Sequence, residues 1–126
     1  MKTLQEIIKI FLGQQPVYEI DAVQEYQKGR YFFQVASTHH EDYIRHHLAS
    51  DLSQQDERNA MWNFLSSALR GYPQAQYELG MAYFLGHLGL AQDYTIAEQW
   101  LKRAAVQGHI DAQEQLNEIY QLYAFS

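Results

Sequence analysis

The stretch that most constrains the fold runs from Ala75 to Gln113, because it closes on itself. Ala75-Gln76 at its start returns as Ala112-Gln113 at its end, a period of 37 residues. Between the two lie small residues, one tryptophan and glycines at set places. A chain that repeats at this period stacks supersecondary units that cannot bury their apolar faces alone. Helix pairs that stack closely need small side chains where backbones approach. Ala75, Gly80 and Ala82 supply them in the first helix of the unit, and Ala97, Ala104 and Ala105 in the second. Leu79, Tyr83, Trp100 and Leu101 fill the space between. Gly86 and Gly89 permit a tight turn at positive φ, and Asp93 stands where it can cap the second helix.

The flanking segments read as helices too. Thr3-x-x-Glu6 is a capping box ahead of Leu4, Ile7, Ile8, Phe11 and Leu12, which share one face. Gly13 stops that helix and Pro16 follows. A second helix runs from Asp21 to about Ser37, and a third from Asp56 to Leu69. Gly71 and Gly108 read as residues just past helix ends, and Pro73 as the first residue of a helix. The last helix spans Asp111 to about Tyr123. No strand is expected. Apart from the segment around residues 38–52, the connections are short, as antiparallel helix pairs require.

The order Ala75, Leu79, Gly80, Tyr83, Gly86, Gly89, Asp93, Ala97, Trp100, Ala104, Ala105, Gly108 resembles the Sel-one-like repeat, a relative of the tetratricopeptide repeat. One departure is visible: two residues, His87 and Leu88, separate the turn glycines where the family usually has one. Fainter copies flank the unit. A shift of 37 lays Asp56, Ala60, Ala68 and Gly71 on Asp93, Ala97, Ala105 and Gly108. A shift of 51 lays Tyr26, Gly29, Phe32 and Phe33 on Tyr77, Gly80, Tyr83 and Phe84, so 14 extra residues separate the helices of the first copy. Downstream, Ala112, Leu116 and Tyr120 repeat Ala75, Leu79 and Tyr83. The resemblance implies an all-α, right-handed α/α solenoid of about six helices in a single domain, 1–126. Its parts are a capping helix (1–18), a degenerate repeat (21–71) with a His-rich insert (38–52), a complete repeat (74–108) and a C-terminal capping helix (109–126).

Two groups of residues are candidates for binding a partner. Tyr77, Met81 and Phe84 form a stripe opposite the face of Ala75, Leu79, Ala82 and Tyr83. Its upstream equivalents are Tyr26, Arg30 and Phe33, and its downstream equivalents are Glu114, Glu118 and Gln121. Loss of the apolar stripe in the last helix suits an end that faces water. The stripe reads first as core against the preceding repeat, and second as a partner-facing groove. The other group is the run His39, His40, Tyr43, His46 and His47. On a helix these histidines pair at i, i+6 and i, i+7, about 10 Å apart, too far to share an ion at about 2.1 Å. A solvated face is the first reading of this run and a partner-binding insert the second.

Composition removes other classes. There is no cysteine, hence no disulfide scaffold or thiolate zinc site. A net charge of −6 is the wrong sign for a nucleic-acid binder. No apolar run reaches a membrane span, and Met1–Gly13 is no secretory signal, since Glu6 and Lys9 interrupt it. No serine sits in a G-x-S-x-G elbow, and Gly86-His87-Leu88-Gly89 is a helix turn rather than a phosphate loop. The expectation is a cytoplasmic, bacterial, non-enzymatic protein without cofactor or metal. It would bind a protein or peptide as an adaptor. The alternatives are an immunity protein that neutralises a toxin, and a self-associating unit that forms a homodimer.

Overall fold

Helices of matched spacing fold back on one another throughout the computed structural model. It describes residue 3, residues 20–46 and residues 50–124, without the side chains of 39–46 and 50–52. Five helices follow in order: α1 (Ile20–His46), α2 (Ser50–Leu69), α3 (Pro73–Leu85), α4 (Tyr94–Ala105) and α5 (Ile110–Ala124). No strand occurs among the described residues. The result is a short α/α solenoid in which each helix packs against the next in sequence. The expected N-terminal helix falls outside the described residues.

Local chemistry explains the boundaries. Pro73 opens α3, and Gly86 closes it at φ 71°. Asp93 accepts from the Ile96 N–H at 3.0 Å and caps α4. The two-residue spacer in the turn has a use: Leu88 takes φ 58°, a left-handed value that costs a non-glycine residue free energy. Its side chain is buried with Ala60, Phe64 and Ala82, between α2 and α3.

The first hairpin repeats two contacts of the second. A Cβ at Gly80 would stand 2.8 Å from Leu101 Cγ, and one at Gly29 would stand 2.7 Å from Phe64 Cδ1. Gly29 and Phe64 are the residues that the shifts of 51 and 37 lay on Gly80 and Leu101. A second contact recurs in the same way. Gln107 Nε2 donates to Gln76 Oε1 at 2.9 Å, while the equivalent pair in the first hairpin is Arg70 Nε and Glu25 Oε2 at 3.2 Å. Along α1 and α2 the close approach is extended by small residues seven apart. Ala22, Gly29 and Ala36 on α1 and Ser53, Ala60 and Ser67 on α2 are all buried. Ser67 Oγ donates to the Ala22 carbonyl at 2.6 Å, and Ser53 Oγ to that of Ala36 at 3.4 Å.

The returning Ala-Gln pair has a physical reason. Ala75 and Ala112 are both fully buried at the joints between units. Gln76 Nε2 donates to the Ala68 carbonyl at 3.2 Å, and Gln113 Nε2 to the Ala105 carbonyl at 3.0 Å. The last carbonyls of a helix lack partners within it. In each unit the next helix supplies one.

Two expectations change. The first two helices run further than expected: α1 continues past Ser37 through His46, and α2 begins at Ser50, ahead of Asp56. The extra residues lengthen both helices. By the shift of 51, Gln34 is the equivalent of Leu85, where α3 ends. α1 runs on for about 18 Å beyond it, and α2 starts about 10 Å ahead of Glu57, the equivalent of Tyr94. No glycine or proline lies between Ser37 and Ser53 to break the helices. The second change concerns the stripe. Tyr77, Met81 and Phe84 pack against Leu101, Ala104, Ala112, Leu116 and Ile119, which belong to the following helices α4 and α5, not to the preceding repeat. The preceding hairpin is met by Ala75, Leu79 and Ala82.

Gln76 is 5% exposed whereas Gln113 is exposed to water. Gln76→Leu should therefore cost about 1–3 kcal/mol, the penalty for stranding buried polar partners. Gln113→Leu should cost less, because water can replace the bond. Urea denaturation of the two variants measures the difference, and equal costs would contradict the assignment.

Candidate partner-binding groove

A long hairpin beside a short one makes a step. At the level where α3 turns at Gly86, α1 carries on, and the stripe Tyr26, Arg30, Phe33 faces the next hairpin just as Tyr77, Met81, Phe84 does. Low in this interface the contacts close. Tyr26 packs on Phe64 and Tyr72 at ring distances of 5.8 and 5.2 Å. Arg30 Nη1 donates to Glu78 Oε1 at 3.2 Å and ties α1 to α3. Above them the interface opens. A cavity of 540 Å³ lies between Phe33, Ala36 and Ser37 on α1, Glu57 on α2, and the turn Gly86–Gly89. A second cavity of 270 Å³ adjoins it, lined by Tyr77, Glu78, Met81 and Leu85 of α3 together with Phe64. Phe33, His87 and Leu88 line both, so the two form one groove.

The groove is apolar within and polar at its edges. Phe33 is 39% exposed and Leu85 is 49% exposed, while Leu88 is buried and forms the floor. Glu57, Ser37 and His87 supply polar groups around the larger cavity. Of the residues singled out from sequence, Phe33, Tyr77 and Met81 line the groove, and Arg30 pairs with Glu78, which lines it. Tyr26 does not line it. Phe84 does not either; its ring lies against Tyr94 at 5.2 Å. His39, His40, Tyr43 and His46 fall in the last turns of α1, with their side chains outside the described residues, as is the whole of His47. Sequence reasoning missed Leu88, Leu85, His87, Ser37 and Glu57. The extra residue in the turn was the one available sign of Leu88.

Tyr77 also anchors the far joint. Its ring stacks on His109 at 4.7 Å, and His109 Nδ1 accepts from the Ala112 N–H at 3.2 Å at the start of α5. Burial pushes the Tyr77 phenol above its ordinary pKa, and the carboxylates of Asp111, Glu78, Glu114 and Glu118 add to the shift. Tyr26 is raised for the same first reason, with Glu78 adding and Arg30 opposing. Among the described residues no three His, Asp or Glu side chains gather closely enough to hold a metal ion, and no helix is long and apolar enough to cross a membrane.

Residues 73–109 match the family model described as Sel1 repeat. Neither the search of curated proteins nor that of solved structures found a match.

A phenol whose pKa is raised by folding stabilises the native state below the unfolded value of about 10, and that contribution is lost as pH rises through the folded value. Stability should accordingly fall above about pH 10, and Tyr26→Phe/Tyr77→Phe should flatten the fall. Denaturant midpoints measured across the alkaline range check this; an unchanged slope in the double variant would contradict it.

Proposed function

With a Sel1 repeat at residues 73–109 as the premise, we propose that this chain is a non-catalytic protein-interaction module that holds a peptide segment in the step between its long and short hairpins. Sel1 repeats generally mediate protein–protein interaction. The observation that carries the reading is the groove at Phe33 and Leu88. Its larger cavity, 540 Å³, falls within the ~300–1,000 Å³ usual for ligand pockets. That space suits one or two side chains of a peptide rather than the flat face of a globular partner.

In this reading residues 21–71 are a degenerate first repeat whose lengthened helices supply the tall wall. Residues 109–126 are the C-terminal cap, with Glu114, Glu118 and Gln121 turned to water. In the same reading the His39–His47 run meets whatever extends out of the groove. The partner segment carries an apolar side chain for Phe33 and Leu88 and a basic residue for Glu57. The net charge of −6 favours the approach of such a segment. A self-associating unit that buries the Tyr77–Phe84 stripe is less favoured, because that stripe already packs against α4 and α5.

Selection of displayed peptides on the purified full-length protein tests this. Selected peptides should combine an apolar anchor with Lys or Arg. Phe33→Glu should weaken their binding tenfold or more, about 1.4 kcal/mol, whereas Gln99→Glu on the exposed side of α4 should leave it unchanged. Peptides that bind wild type and Phe33→Glu equally would refute the groove as the site.

A further inference from the structure

The position that the repeat gives to a methionine on α3 is held on α1 by a charge. The shift of 51 lays Arg30 on Met81. Met81 packs against the buried residues of α4 and α5, whereas Arg30 Nη1 donates to Glu78 Oε1 at 3.2 Å. The Arg30 side chain is 56% exposed, and a pair so open to water adds little to stability. Stability alone therefore gives no reason for a cation here. The step groove does.

The groove carries two carboxylates, and they differ in what they already hold. Glu57 of α2 lines the larger cavity and makes no ion pair among the described residues. Glu78 of α3 lines the smaller one and is paired with Arg30, which lines neither. Phe33 and Leu88 line both cavities and so stand between the two carboxylates. α2 and α3 are packed neighbours. Axes of packed helices lie about 8–10 Å apart, a span that about three residues of extended chain cover. A side chain anchored on Phe33 and Leu88 thus has Glu57 beside one flank of its peptide and the Arg30–Glu78 pair beside the other.

We propose that Arg30 is the specificity-determining residue of the groove: by holding Glu78 it confines the partner's basic residue to the Glu57 side of the apolar anchor. The segment that binds therefore carries Lys or Arg on one flank of its anchor, and a neutral or acidic residue on the other. Charges at an interface discriminate between partners more than they add affinity, and a like charge set against the wrong ligand is one way to do so. A lysine over Glu57 meets a bare carboxylate, while a lysine over Glu78 meets a guanidinium already in place. The asymmetry also fixes direction, since a segment bound backwards would set its basic residue against Arg30. The inference rests on the peptide-binding reading and deepens it by giving the partner a charge pattern.

A library of displayed heptapeptides tests this, selected in parallel on the full-length wild type, Arg30→Met, Arg30→Lys and Arg30→Met/Glu78→Gln. Peptides from the wild type should be basic on one flank of the anchor. Arg30→Met, which installs the residue of the next hairpin, should raise the share of peptides basic on both flanks at least fivefold. Adding Glu78→Gln should return that share to the wild-type level, and Arg30→Lys should keep the wild-type pattern. A merely structural tie between α1 and α3 would not respond to Glu78→Gln in this way. Unchanged flanks in Arg30→Met, or a gain that survives Glu78→Gln, would overturn the inference and leave the groove standing. Wild-type peptides that bind Phe33→Glu equally well would remove the groove as the site, and the inference with it. Arg30→Gln is selected alongside, so that poor folding of Arg30→Met leaves a second uncharged variant to decide.

Discussion

The close approach of a glycine to a large buried side chain, made once in each hairpin, is the constraint on which the rest of the structure depends. Gly29 receives Phe64 and Gly80 receives Leu101, each at a distance no Cβ could tolerate. These two large residues are among the most deeply buried in the chain. Bringing the helix axes together there puts the alanines at the joints into contact and sets where the next helix can lie. The rule has a boundary that makes physical sense. Among the described residues no helix follows α5, and the position equivalent to Gly80 is Asn117, exposed to water. Helical glycine costs about 1 kcal/mol relative to alanine, so it is kept where a neighbour must come close and dropped where none does.

Polar groups follow the same logic of position. Where one unit follows another, a glutamine at the joint reaches back to a carbonyl at the end of the previous helix, as Gln76 and Gln113 do. In α1 the same position holds Glu25, which cannot donate to a carbonyl and instead pairs with Arg70. The amide pair Gln76–Gln107 and the ion pair Glu25–Arg70 are thus one contact in two chemical forms. The unit with described structure on both sides uses amides, whose donors and acceptors serve several partners at once. The outer unit uses charges.

The turn glycines, the Asp93 cap, Pro73 at a helix start and the paired Ala-Gln joints could all be read from residue types, because each answers a local requirement. Two things could not. Comparing repeat shifts counts the extra residues in the first hairpin but does not say whether they loop out or lengthen the helices; the lack of glycine and proline from Ser37 to Ser53 was the usable hint. The stripe of Tyr77, Met81 and Phe84 was recognisable as a packing surface, yet helical period gives a face and not a direction, and it turned out to meet the following helices. The groove was hidden for a related reason. It exists only because neighbouring hairpins differ in height, and it joins residues as distant in sequence as Phe33 and Leu88.

The most direct test of the claim that both hairpins are built on one contact is a double-mutant cycle on Gly29 and Phe64, read by chemical denaturation. Gly29→Ala should destabilise the wild type by about 1–3 kcal/mol, the usual cost of overpacking. In a Phe64→Leu background, where the branched end can swing aside, the same change should lose most of that cost or become stabilising, since alanine is the better helix former. An identical effect of Gly29→Ala in both backgrounds would mean that the two residues do not meet, and would contradict the account.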